Sequence, residues 1–271
     1  MKYMTFNSSC SFAGLANLLS FYGMDTEDRD IAFRMHLPYL FACENGGYLS
    51  GPILQGAKWF NLYLNPRGFA FSECRHSREE VRAVLRTSSP AMLGIRVSPE
   101  SKHAVIFMGC QDEKYQFLNN KRQDSPEPET LNLTEGELLA RLDESVVVGH
   151  LERTDPAAIS FRSYLEDSLL VLQNLQTEIQ AFCGKEQSAA SLMEAMNTLF
   201  RPILLDGVTM LELLEEMEIV TALKGVRTQF LELIKGGQAA ILADRIYMPL
   251  LNGAITQYKA LIMKHMEENT D

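Results

Sequence analysis

Apolar residues in the first half of the chain follow two different spacings. From Phe12 to Gly23 they recur at steps of three and four residues, which predicts an amphipathic helix that ends at the glycine. From His103 to Asn119 two β-branched and aromatic runs flank a short polar turn, which predicts a β-hairpin. Helical and strand-like segments continue to about residue 151. We therefore expect an α+β domain with a mostly antiparallel sheet.

The second half of the chain has a different pattern. Asp155 followed by Pro156 is typical of a helix N-terminus, and after it the strand signals disappear. Long segments of helical periodicity follow, separated by short glycine- or proline-containing stretches. We predict a first domain over residues 1–154 and an all-α bundle of four or five helices over residues 155–271.

Residues 38–51 are aromatic and rich in glycine, and they predict a loop between two helices. Gly46 and Gly47 would let a ligand approach the backbone closely, and Tyr48 adds an aromatic side chain. Trp59, the only tryptophan, lies in the helix predicted next. These four residues are candidates for the wall of a substrate cleft. A hydrophobic connector packed on the core explains the stretch equally well, and the sequence leaves both open.

Composition and charge exclude several classes of protein. The chain of 271 residues has a net charge of −10 and a pI near 5.1, which argues against a nucleic-acid-binding protein. No apolar run is long enough to predict a membrane span, and the N-terminus has no signal-peptide pattern. Five cysteines without CxxC pairing fit a reducing compartment, so we expect a cytoplasmic protein. The histidines show no metal-ligand spacing, so we expect neither a metal nor a cofactor.

Cys10 is the first candidate for chemistry. It lies at the predicted start of the Phe12–Gly23 helix, where free backbone N–H groups and the helix dipole stabilise a thiolate. The sequence therefore predicts a thiol of lowered pKa. Cysteine is also among the most buried residue types, so an ordinary small core residue explains the position as well.

His103 and Asn119 are the second and third candidates. His103 opens the first strand of the predicted hairpin and Asn119 closes the second. Because the outer ends of an antiparallel hairpin meet, the imidazole and the carboxamide can touch. Together with Cys10 they supply a nucleophile, a base and a group that orients the base.

The order of these three residues resembles the papain-like cysteine peptidases, in which a cysteine heads a helix and a histidine opens a hairpin strand. More narrowly, it is similar to the bacterial branch that includes the bacteriocin leader-processing peptidases. The phrase from Cys10 through Ala-Asn-Leu-Leu to Tyr22-Gly23 is similar to the N-terminal domain of the butirosin biosynthesis acyltransferase family. The resemblance covers about residues 1–152.

This resemblance implies a cysteine acyl-transfer enzyme, either a transferase or an amide, thioester or peptide hydrolase. Cys10 would attack the carbonyl, His103 would move the proton and Asn119 would orient the imidazole, where the relatives usually have aspartate. The acyltransferase relatives imply an acyl substrate on a carrier protein, and the leader peptidases imply a peptidyl substrate. Transfer and hydrolysis both remain open.

One departure from the papain-like pattern concerns the oxyanion donor. The family has a glutamine about six residues before the cysteine, whereas this chain has Met4. Asn7 or Tyr3, together with the Cys10 amide, would have to replace it. The alternative function is a catalytically inactive papain-like binding module, with the helical domain as a dimerisation or partner platform. The sequence leaves a homo-oligomer through that domain open.

Overall fold

The computed structural model describes residues 1–99, 101–237 and 239–269. Residue 271, the predicted end of the second domain, lies outside them. The helices in chain order are α1 (Ser11–Ser20), α2 (Asp28–Arg34), α3 (Ala57–Leu64), α4 (Arg78–Thr87), α5 (Glu135–Arg141), α6 (Arg162–Cys183), α7 (Ala189–Asn197), α8 (Val208–Leu213), α9 (Met217–Gly236) and α10 (Met248–Glu268).

The strands in chain order are β1 (Phe41–Glu44), β2 (Gly47–Ser50), β3 (Phe69–Ser77), β4 (Ala91–Arg96), β5 (Lys102–Gln111), β6 (Lys114–Asn119), β7 (Thr130–Leu133), β8 (Ser145–Arg153), β9 (Glu186–Gln187) and β10 (Ala240–Ile241). Short 3-10 turns cover Leu37–Tyr39, Gly51–Ile53 and Asn65–Arg67, and a π-helical segment covers Pro202–Gly207.

The chain divides into two compact units. The first contains Met1–Met35 and Gln55–Ile159, and the second contains His36–Leu54 and the chain from Ser160 onwards. The sequence predicted one boundary, between residues 154 and 155. Residues 36–54 depart from that division.

Hydrogen bonds explain why residues 36–54 belong to the second unit. The backbone N–H of Phe41 donates to Ser168 Oγ at 2.9 Å, and Ser50 Oγ donates to the Pro202 carbonyl at 2.7 Å. The stretch is a β-hairpin of β1 and β2 rather than the predicted loop. Its two-residue turn, Asn45-Gly46, has φ of 52° and 76°, the positive values that a tight hairpin turn needs. The sequence interpretation overlooked that Asn-Gly signal.

The first unit is built on a six-stranded antiparallel sheet with the strand order β3-β8-β4-β5-β6-β7. Helices α4 and α5 begin with capping boxes at Ser77 and Thr134, as their sequences indicate. Both helices bury leucine and valine side chains against one face of the sheet, which includes Leu93 and Val105. The predicted α+β architecture is confirmed.

Helix α1 packs on strands β4 and β5 from the opposite face of the sheet. Neighbouring residues of a strand point to opposite faces, so Met92 and Ala104 lie on the α1 side while Leu93 and Val105 face α4 and α5. Almost all of α1 is buried from Phe12 onwards. The start of α1 and the start of β5 are therefore held in a fixed relationship.

The second unit is helical apart from two small two-stranded sheets, β1-β2 and β9-β10. Its core is lined by apolar residues of the long helices, among them Leu172, Phe230 and Ile255. A helical C-terminal part is what the sequence predicts.

Candidate active site

Cys10 is the residue that precedes α1. Its φ and ψ of −87° and −8° are already helical, and its carbonyl accepts the Gly14 N–H at 2.9 Å. The backbone N–H of Ala104 donates to the Cys10 sulfur at 3.0 Å. Because Ala104 follows His103 directly, this bond fixes the thiol beside the residue that carries the imidazole.

A network of buried amides holds α1 against β5. Asn120 Nδ2 donates to the Ala104 carbonyl at 2.8 Å, and Asn17 Nδ2 on α1 donates to Asn120 Oδ1 at 2.8 Å. Gly14 makes this approach possible, since a Cβ at that position would lie 2.7 Å from Asn120 Nδ2. The position of the Cys10 sulfur thus depends on the packing of α1 as well as on its own bond to the strand.

His103 and Asn119 meet at the open end of the β5–β6 hairpin. His103 Nδ1 lies 3.0 Å from Asn119 Oδ1, and Asn119 is fully buried. Asn119 Nδ2 donates to the Pro128 carbonyl at 3.0 Å, so the oxygen of the carboxamide is the atom that faces the imidazole. An acceptor at Nδ1 requires the proton there, which leaves Nε2 as the free base.

The electrostatics of Cys10 differ from the prediction. Burial raises the pKa of the Cys10 thiol above its ordinary value, and the N–H groups of Ala104 and of Cys10 itself lower it by less. The expectation of a lowered pKa is therefore wrong for this structure, because desolvation outweighs the donors at the helix start. The sulfur is a neutral thiol that needs a base.

Cys10 and His103 line one open groove of about 410 Å³ on the first unit. Its other lining residues include Asn7, Ser9 and Gln55. Ser9 Oγ donates to Gln55 Oε1 at 2.9 Å, which orients the Gln55 carboxamide and leaves its Nε2 as a donor. Sequence reasoning missed Gln55. It precedes α3 by two residues with no local motif, and only the tertiary fold brings it to Cys10.

The two oxyanion candidates from the sequence lie in different places. Asn7 lines the groove beside Cys10. The Tyr3 hydroxyl donates to Glu129 Oε1 at 2.6 Å, and Tyr3 is not among the residues that line the groove. The Tyr3 hydroxyl therefore already donates its proton to a carboxylate.

The cleft-wall candidates are divided between the two units. Gly46, Gly47 and Tyr48 line a separate cavity of about 330 Å³ in the second unit, where Tyr48 donates to Glu178 Oε1 at 2.6 Å. Burial and Glu178 raise the pKa of Tyr48 to about 12. Trp59 lies in α3 of the first unit with only 4% of its surface exposed, and it is not among the residues that line the groove at Cys10.

Within the described residues, no group of three or more histidine, cysteine, aspartate or glutamate side chains is arranged to hold a metal ion. No helix among them is long and apolar enough to cross a membrane.

The candidate site has a cysteine directly before a buried helix of an α+β unit. A histidine–asparagine pair lies on the hairpin against which this helix packs. No family model and no curated protein matches the sequence. Several solved structures are similar to it, and two of them are described here. A double glycine motif protease from an AMS/PCAT transporter, in complex with its leader peptide, is 12% identical, with a TM-score of 0.38 over 56% of this chain and 89% of that one.

The second structure is the peptidase domain of Streptococcus ComA, a bifunctional ABC transporter of a quorum-sensing pathway. It is 10% identical, with a TM-score of 0.38 over 55% of this chain and 96% of that one. By their names, the first is a protease and the second a peptidase domain. Because both TM-scores are 0.38, we infer activity from the site residues alone.

Proposed function

We propose that the protein is a cysteine acyl-transfer enzyme, with Cys10 as nucleophile, His103 as general base and acid, and Asn119 as the group that orients the imidazole. The observation that carries the proposal is the Ala104 N–H bond to the Cys10 sulfur, next to the His103–Asn119 pair. These contacts support a thiol triad in which Cys10 and His103 line the groove and Asn119 lies buried behind the imidazole.

The chemistry follows from the state of each group. The Cys10 thiol is neutral, so His103 Nε2 accepts its proton as the sulfur attacks a carbonyl carbon. The same proton then goes to the departing amine or thiolate, and an acyl thioester remains on Cys10. Water or an amine attacks that thioester in the second half-reaction and releases the sulfur.

Stabilisation of the oxyanion comes from groups that line the groove. The backbone N–H of Cys10 is one donor, and a carboxamide of Asn7 or Gln55 is the second. A donor of this kind is worth about 3 kcal/mol in comparable acyl-transfer sites, so the absence of the family glutamine at position 4 requires a replacement. Gln55 is the better placed because Ser9 already holds its oxygen.

Two substrate classes fit this chemistry, an acyl group carried as a thioester and a peptide. Intact-mass spectrometry after brief incubation with an N-acetylcysteamine thioester or with an unstructured peptide distinguishes them. We expect an acyl adduct on Cys10 from one of the two, which is lost in Cys10→Ala. Cys74→Ala is the matched control, because Cys74 is an exposed thiol of the same unit. An adduct that persists in Cys10→Ala would contradict the proposal.

A binding module without catalysis is the second candidate, and the raised pKa of the Cys10 thiol favours it. In that case the groove would hold a peptide or acyl chain without forming a bond to sulfur. An unchanged mass of the intact protein after incubation with each of the two substrates would support this function.

A further inference from the structure

Glu127 lies against the catalytic imidazole. Its Oε2 is 3.3 Å from His103 Nδ1, the same nitrogen that faces Asn119 Oδ1. The two side chains are only 24% and 18% exposed. Glu127 Oε2 is itself buried and accepts no hydrogen bond of good geometry from the described residues, and the His103 imidazole lies within ion-pair distance of it.

The loop that carries Glu127 is anchored on both sides. The carbonyl of Lys121 accepts the Met4 N–H at 3.0 Å, and the carbonyl of Glu129 accepts the Asn119 N–H at 2.7 Å. The buried Lys121 Nζ also donates to the Ser125 carbonyl at 3.1 Å. Prolines on both sides of Glu127 restrict the backbone further. The carboxylate is therefore held at His103 by the chain around it.

A neutral carboxamide and a carboxylate affect the tautomer and the charge of a histidine base differently. Asn119 fixes the tautomer, but it carries no charge with which to stabilise the imidazolium that forms when His103 takes the thiol proton. A carboxylate at ion-pair distance does stabilise that imidazolium, and partial burial limits the screening by water.

We propose that Glu127 is the charged positioning residue of this site: Asn119 sets the tautomer of His103, and Glu127 stabilises its protonated form. This inference rests on the proposed function, in which His103 is the base. Asn119 and Glu127 would then share the two tasks that a single aspartate performs in a serine protease triad. No signal in the sequence marks Glu127, which lies in a polar, proline-containing loop.

The direct test is the pKa of His103, measured by NMR titration of the full chain with Glu127→Gln. The glutamine keeps the shape and removes the charge. We expect the His103 ring of the variant to lose its proton at a lower pH than the ring of the parent, because the opposite charge beside the imidazolium has been removed. Glu129→Gln is the matched control, since its carboxylate lies two residues away and contacts Tyr3.

The pH profile of acyl-Cys10 formation gives a second reading. The reaction needs neutral His103, so the rate rises with pH through the pKa of the imidazole. We expect Glu127→Gln to move this acid limb to lower pH and to lower the plateau rate, because a weaker base accepts the thiol proton less readily. Glu127→Asp, which shortens the side chain by one carbon, should give a smaller change in the same direction.

The outcomes separate this inference from the function on which it rests. An unchanged His103 pKa in Glu127→Gln, or an equal change in Glu129→Gln, overturns the role of Glu127 even if the parent forms an acyl adduct. A fall of the His103 pKa without any adduct in the parent leaves the electrostatic pairing standing and removes the catalytic function. Should Glu127→Gln fail to fold, the Glu127→Asp titration decides, and an unshifted pKa there counts against the proposal.

Discussion

The Ala104 N–H and the Cys10 sulfur are joined by a hydrogen bond of 3.0 Å, although 94 residues separate them in the chain. A thiol at the start of a helix is thereby tied to the first strand of a hairpin, one residue away from an imidazole. The bond also gives the partly buried sulfur a hydrogen-bond donor. The position of the nucleophile consequently depends on how closely α1 approaches β5.

Gly14 sets that approach. We expect Gly14→Ala to destabilise the protein by about 1–3 kcal/mol, as is typical of overpacking, and to slow acyl-Cys10 formation, because the added Cβ would lie 2.7 Å from Asn120 Nδ2 and from Met92 Sδ. Denaturant unfolding and intact-mass kinetics measure the two effects. Gly136→Ala on α5 is the control, since nothing lies within 4 Å of its added Cβ and stability should stay equal or rise. Equal behaviour of the two variants would contradict the role of Gly14.

Gln55 is expected to be the carboxamide that stabilises the oxyanion. Its removal in Gln55→Ala should lower the rate of acyl-Cys10 formation about 100-fold, the effect of losing one such donor, with little change in stability because the side chain is exposed. Asn7→Ala, at the other candidate, should cost much less. Gln55→Glu keeps the size but loses the donor, so it should be as slow as the alanine variant. A larger loss in Asn7→Ala would assign the role to Asn7 instead.

Asn119 combines a structural and a positioning role. In Asn119→Ala the Pro128 carbonyl loses its donor, which should lower the free energy of unfolding by about 1–3 kcal/mol. The rate of acyl-Cys10 formation should fall roughly tenfold or more, since a hydrogen bond of about 1 kcal/mol or more no longer fixes the His103 tautomer. The matched control is Asn132→Ala on the neighbouring strand β7, where the side chain is exposed. A parent-like rate in Asn119→Ala would show that Glu127 alone orients the ring.

Local signals were sufficient for much of the fold. The helix after Cys10 and the His103–Asn119 hairpin could be predicted because apolar periodicity and turn composition act over a few residues. The capping boxes of α4 and α5 could be predicted for the same reason. The α+β class follows from such segments without any knowledge of their packing.

Long-range features of the site could not be predicted in the same way. Gln55 and Glu127 reach the groove and the imidazole through tertiary packing, and neither has a motif around it. The pKa of Cys10 was predicted in the wrong direction because a helix start is visible in a sequence whereas desolvation is not. The assignment of β1 and β2 to the second unit depends on bonds to residues more than a hundred positions away, such as Ser168.

The second unit contains a pair of adjacent histidines that should make its stability depend on pH. His36 Nδ1 and His265 Nε2 are 2.5 Å apart, and the two rings also pack on Phe161 and Tyr39. Burial, followed by the neighbouring His265, lowers the pKa of His36 to about 4. Burial also lowers the pKa of His265, although Glu268 opposes that shift.

The direction of this pH dependence follows from proton binding in the folded and unfolded states. In the unfolded chain a histidine has a pKa of about 6.5, so between this value and about 4 the unfolded chain holds a proton that native His36 does not. The stability is therefore complete above about pH 6.5 and is lost as the pH falls towards 4. The loss should approach about 3 kcal/mol, at 1.36 kcal/mol for each pKa unit.

Denaturant unfolding of the full chain at pH 7.5 and at pH 4.5 measures this loss of stability. His36→Asn, which tolerates the positive φ of 57°, should remove most of this difference, whereas His76→Asn in the first unit should preserve it. If the two variants lose stability equally on acidification, the histidine pair is not the source of the pH dependence.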